Sequence, residues 1–169
     1  MSVSCLDYSS VSGLSFNRPK LCVNATWNPN AVTIANSTYV GTNPLDLFVD
    51  ASNTVYVAAR SLNQVLIWRE GTSVPFRNIS GGLSEPFTLF VASNGDLYVG
   101  NTPTVNRSIE KWAFNASNSV TVMSFNGVCF GVFIDILDNL YCSMNAPHMV
   151  VRKSLNDLTS ALVTVAGTG

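Results

Sequence analysis

The pattern "LFVDASNTVYVAA" at residues 47–59 returns as "LFVASNGDLYVGN" at 89–101 and again as "VFIDILDNLYCSM" at 132–144. Tyr56, Tyr98 and Tyr141 stand 42 and 43 residues apart, and so do Leu47, Leu89 and Val132. A period of this length restricts the chain to a repeat architecture before any local structure is assigned. Each copy carries an apolar run, a polar turn ("DASN", "ASNGD", "DILDN") and a second apolar run, which together spell a β-hairpin. Asn, Asp and Gly dominate the turns because they tolerate the positive φ angles of tight reversals.

A third strand is expected from "QVLIW" (64–68), "SIEKW" (108–112) and "MVVRK" (149–153), and a fourth from "PFRNIS" (75–80), "SVTVM" (119–123) and "LVTVAG" (162–167). Four short antiparallel strands recurring every ~42 residues match the blade of a β-propeller, whose repeats run to about 40–50 residues. Blades stack face on face, so their inner strands are covered on both sides and read as unbroken Leu, Phe, Val and Ile. The expected fold is all-β: a propeller of four-stranded antiparallel blades, incomplete in this chain. The blades fall at about 44–80, 86–123 and 129–167 within a propeller portion 31–169; "AVTIAN" (31–36) reads as the outer strand of a closing blade, and 1–30 as a separate, core-poor segment.

The first copy, "NPLDLFVDASNTVYVAARSLNQVLIW", resembles an NHL repeat: a Pro, an apolar run ending in Asp, Gly or Asn before an apolar residue, then Tyr-Val and a later aromatic residue. Pro44, Asp50, Asn53, Tyr56, Val57 and Trp68 match in the first copy, Pro86, Gly95, Leu97, Tyr98, Val99 and Trp112 in the second, and Gly131, Asp135, Asn139, Leu140 and Tyr141 in the third. NHL repeats often carry a small residue and an Asp after Tyr-Val, a place held here by Ala59, Asn101 and Met144; the Gly after Pro is replaced by Asp46 and Thr88. The resemblance implies a ring of about six blades. It also implies one of several functions: a protein-binding platform, an RNA binder or a zinc-dependent peptide-amidating lyase. Fold alone does not choose among them.

Three blades and an orphan strand fall below the four blades of the smallest propellers. The chain therefore reads as an N-terminal fragment whose first and last blades expose apolar faces and promote self-association.

With 169 residues, 47% of them hydrophobic and 11% charged, the chain can bury one core. The net charge of −1, with no run of like charges, excludes a nucleic-acid footprint. No apolar stretch is long enough for a membrane helix, so no membrane insertion is expected. Sequons at Asn24, Asn36, Asn78, Asn106 and Asn115 and four cysteines fit an extracellular or secretory-lumen setting. Cys5 is expected to pair with Cys22. Cys142 falls opposite about residue 133 in a regular hairpin, so its pairing with Cys129 requires the chain to bend before the strand, near Gly131.

No cofactor or metal site is expected. His148 is the sole histidine, too few for a catalytic zinc that takes three protein ligands, and no G-x-S-x-G elbow accompanies it. Asp50, Asp96, Asp135 and Asp138 read as turn caps, the tyrosines as core residues with satisfied hydroxyls, and Trp68 and Trp112 as inter-blade packing.

The loops joining strand two to three and those joining blades share one propeller face, polar and nearly neutral, with candidate binding residues Asp46, Arg60, Glu85, Asn101, Arg107 and His148. The expected function is a non-enzymatic interaction module for a protein, peptide or glycan. The alternative is part of a metal-dependent lyase or lactonase whose ligands lie in other blades.

Overall fold

The computed structural model describes residues 26, 29–157 and 159–168. Among the described residues, twelve strands form three four-stranded antiparallel sheets, each ordered as the chain runs. The first blade holds β1 (Pro44–Val49), β2 (Val55–Ala59), β3 (Gln64–Trp68) and β4 (Arg77–Ile79). The second holds β5 (Pro86–Val91), β6 (Leu97–Asn101), β7 (Ser108–Trp112) and β8 (Val120–Ser124); the third holds β9 (Cys129–Ile134), β10 (Asn139–Met144), β11 (Met149–Ser154) and β12 (Val163–Gly167). The innermost strands lie side by side, β1 against β5 and β5 against β9, so the blades fan out as an arc of an incomplete β-propeller.

Each first hairpin is closed by its own polar turn. Asp50 Oδ1 accepts from the Ser52 and Thr54 N–H groups, and Asp135 Oδ1 does the same for Leu137 and Asn139. The other oxygen of each accepts from the tyrosine six residues on, Tyr56 at 3.3 Å and Tyr141 at 3.0 Å. Burial first, and the Asp50 charge second, push the Tyr56 hydroxyl up to about 12. The second blade has Ala92 at the aspartate position. There Asp96 takes over, accepting from Phe114 N–H at 2.9 Å and pairing with Lys111 at 2.7 Å.

Blades are joined by equivalent residues. Phe48 meets Phe90 edge to face with centroids 5.3 Å apart, and Phe90 meets Phe133 in the same way at 5.4 Å. Asp46 adds a polar tie, its Oδ2 accepting from the Thr88 hydroxyl and the Leu89 N–H, both at 2.8 Å. Trp112 is buried in the core shared by the blades.

Residues 31–36 form no strand, which corrects the expectation of a closing-blade strand there. A strand is stable only when its backbone groups find a neighbouring strand, and Asn36 instead diverts the chain into a single helical turn, α1 (Ser37–Val40). Its side chain caps that turn by accepting from Thr38 N–H at 3.1 Å. Ala35, Tyr39 and Val40 then pack on Leu66 and Trp68, leaving Trp68 2% exposed. The expectation of two open ends is corrected in part: the chain's own residues cover Leu66 and Trp68 of the first blade, while Leu47 on the same face stays 64% exposed.

Cys129 and Cys142 form a disulfide with their Cα atoms 5.6 Å apart. Cys142 faces Val132, and the ladder slips by one residue at Phe130, which brings Cys129 within reach. The expected Cys5–Cys22 pair and the Asn24 sequon lie outside the described residues. Among the described residues no helix is long and apolar enough to cross a membrane.

Candidate functional site

The slip at Phe130 recurs at the same place in every blade. Pro44 faces Ala59 and Asp46 faces Ala58, leaving Leu45 extra; Phe87 is extra between Pro86 and Thr88, and Phe130 between Cys129 and Gly131. A bulge re-aims the side chain of its extra residue, and bulges gather beside functional sites. Here they form an apolar ledge at one end of the inner strands. Phe87 and Phe130 meet edge to face at 4.7 Å, and Leu45 and Phe130 are exposed.

The loops next to this ledge are knitted together. The 3-10 turn Arg60–Leu62 between β2 and β3 meets the preceding loop, where Arg60 N–H donates to Asn43 O and Thr42 N–H to Ser61 Oγ. Two loops, β2–β3 and β6–β7, then converge on Glu85 in the loop between the first two blades. Its N–H donates to Asn63 Oδ1 at 2.7 Å, its carbonyl accepts from the Thr102 hydroxyl at 2.6 Å, and its carboxylate pairs with Arg60 at 2.6 Å. The Arg60 guanidinium stands 5.9 Å from the centroid of the Phe87 ring.

Glu85 is held at φ 51° and His148 at φ 51°, whereas the other described non-glycine residues with positive φ are all Asn or Asp. Glu gains none of the local compensation that Asn draws from its short amide, so this left-handed residue costs on the order of 1–3 kcal/mol. An exposed ion pair returns little of that, on the order of 0–1 kcal/mol.

Of the sequence candidates, Arg60 and Glu85 are brought together here. His148 lies exposed on the turn before β11, its N–H donating to Asn145 O at 3.0 Å. Arg107 is half-buried before β7, with its Nε lacking a partner among the described residues.

Asp46 and Asn101 occupy different places from those expected. Asp46 lies on β1, where the bulge turns its carboxylate onto the next blade. Asn101 ends β6 at 8% exposure, accepting from Ser84 N–H at 2.6 Å and donating to Gly82 O at 3.1 Å. Both carboxamide ends are thus engaged in holding the inter-blade loop. The ledge itself escaped the sequence reading, although an apolar residue directly before Asp46, Thr88 and Gly131 in all three copies was its signal.

The described sequons Asn36, Asn78, Asn106 and Asn115 are all exposed. Among the described residues no group of three or more His, Cys, Asp or Glu side chains is placed to hold a metal ion.

No protein-family model matches the chain, and no curated protein matches it. Among solved structures it is similar to a nidogen/laminin complex (16% identity, TM-score 0.60, covering 68% of this chain and 44% of that one). It is also similar to hydrazine synthase from Kuenenia stuttgartiensis (13% identity, TM-score 0.62, covering 75% and 37%). The chain therefore spans less than half the length of either, and the likeness is one of fold.

Proposed function

We propose that the protein is a non-enzymatic interaction module of the extracellular or secretory-lumen space, presenting the loop face to a protein, peptide or glycan partner. The observation that carries this reading is the rim at Glu85: a strained residue where its own loop meets two others, set with Arg60 beside the Phe87–Phe130 ledge. A bulged aromatic ledge flanked by an arginine supplies the anchors that dominate binding energy at interfaces, and the neutral hydroxyl- and amide-rich loops around it suit hydrogen-bonded recognition. One of the fold-level neighbours is itself a protein–protein complex, nidogen with laminin.

The test is a screen of the immobilised chain against extracellular peptide and glycan libraries, each hit then being measured on face-specific variants. Phe130→Ser and Arg60→Ala should weaken a hit by about tenfold or more, a loss of about 1.4 kcal/mol. Arg69→Ala, near the opposite face, should leave it unchanged. Hits that respond to Arg69 and ignore Phe130 would place recognition elsewhere. Metal-dependent turnover of a lactone or peptide substrate, lost with the same loop variants, would favour the enzyme instead.

A further inference from the structure

A cleft of about 280 Å³ opens between the first two blades, on the side of the hairpin turns and away from the loop face. Tyr56, Phe76 and Arg77 line it from the first blade, and Trp112, Phe114 and Asn115 from the second. Its rim is the turn 113–116, closed by Ala116 N–H donating to Ala113 O at 2.8 Å, with Asn115 at φ 63°. Arg77 donates to Ala116 O at 2.9 Å and so latches this turn over the neighbouring blade. The Phe114 ring lies over Gly95, where a Cβ would stand 2.7 Å from it, and stays exposed on its other side.

Asn115 begins the sequon Asn-Ala-Ser, and of the four described sequons it alone lines this cleft. Asn36 caps α1, Asn78 sits on β4 and Asn106 precedes β7. The cleft walls offer ring faces and hydrogen-bond donors together. Trp112, 1% exposed, forms part of the cleft floor, and the Arg77 guanidinium supplies the donors.

We infer that Asn115 carries an N-linked glycan whose first N-acetylhexosamine seats in this cleft, with the apolar face of the sugar ring on Phe114 and its acetamide and hydroxyl oxygens facing Arg77. The inference rests on the secretory-lumen reading above. The modification is a group transfer from an activated donor, a lipid-linked sugar pyrophosphate, catalysed by a transferase of the host. Asn115 Nδ2 forms the bond to sugar C1, the C1–O bond breaks with its electron pair leaving on the pyrophosphate, and one amide proton passes to a base.

The full chain, secreted from a eukaryotic host, is peptide-mapped at each sequon. It is then compared with its glycans intact, trimmed to the single first sugar, and removed. Asn115 should be occupied, and the trimmed protein should unfold at the temperature of the intact one. Removing that last sugar, or preventing its attachment with Ser117→Ala, should lower the midpoint by about 2–4 °C. In Phe114→Ala, an exposed position that leaves the fold intact, the same removal should change nothing. Occupancy of other sequons with Asn115 bare would overturn the inference and spare the compartment; a chain bare at every sequon would overturn both. A shift that is absent, or equal with and without Phe114, would show that the glycan does not seat in the cleft.

Discussion

Leu66 and Trp68 end the arc at the first blade, and Phe133, Val163 and Val165 end it at the third. The first pair is 4% and 2% exposed, whereas the three others are 52%, 46% and 45% exposed. Both ends inherit apolar residues from the same repeat, since a blade surface is meant to meet another blade. What differs is the flanking chain. Residues 35–40 fold onto the β3 side of the first blade in the manner of a capping repeat, leaving Leu47 of β1 64% exposed on that face, and no described residue does so for the third. Every residue of β12 is exposed, while Val122 and Met123 of the equivalent β8 are buried beside the next blade.

The sharpest way to break this comparison is to truncate one residue at each end. Trp68→Ala should cost about 3–5 kcal/mol in urea unfolding, whereas Phe133→Ala should cost about 1 kcal/mol, mostly its edge-to-face contact with Phe90. Equal losses would mean that the ends are not differently covered.

The open blade is held by the disulfide, so replacing Cys129 and Cys142 together with Ala should cost about 3 kcal/mol for a loop of this length. The loss should fall on the third blade, read as faster proteolysis of β9–β12 with the first blade still protected.

Asn101→Ala leaves the Ser84 N–H and the Gly82 carbonyl without their partner, and should cost about 1–3 kcal/mol. His148→Ala, at an exposed turn, should stay within about 0.5 kcal/mol.

A separate effect appears at alkaline pH. Tyr56 ionises at 10.0 in the unfolded chain and at about 12 when folded. Its contribution is complete below pH 10 and is lost as the pH rises through 12, because the unfolded chain releases that proton first. In Tyr56→Phe the stability lost between those pH values should shrink, as measured by the unfolding midpoint.

The clearest change in assembly should come from Phe133→Asp. We expect the parent chain to self-associate through the third blade and this variant to sediment as a smaller species at the same concentration.

The three hairpins and their partner strands were legible because the tyrosines and apolar runs repeat in register, and stacked blades require that repetition. Asp50 and Asp135 were legible as turn caps because an aspartate before a tight turn has few other uses. Three features were not. The sequence "AVTIAN" has strand-like residues, yet it forms no strand, and its last residue, Asn36, caps the helical turn that follows. Asp46 and Asn101 belong by type to a polar loop, yet the bulge and the length of β6 draw them into inter-blade bonds. Strand pairing counted at one residue for one residue hides Leu45, Phe87 and Phe130 as extra residues, and hides why Cys129 reaches Cys142.

Native-state hydrogen exchange of the full chain measures the difference between the two ends most directly. Amides of β3, at Val65–Trp68, should exchange only through global unfolding, while those of β12, at Val163–Gly167, should exchange through a much smaller opening and gain protection as protein concentration rises. Equal protection of β3 and β12 in dilute solution, or a β12 indifferent to concentration, would contradict an arc with one capped end and one open end.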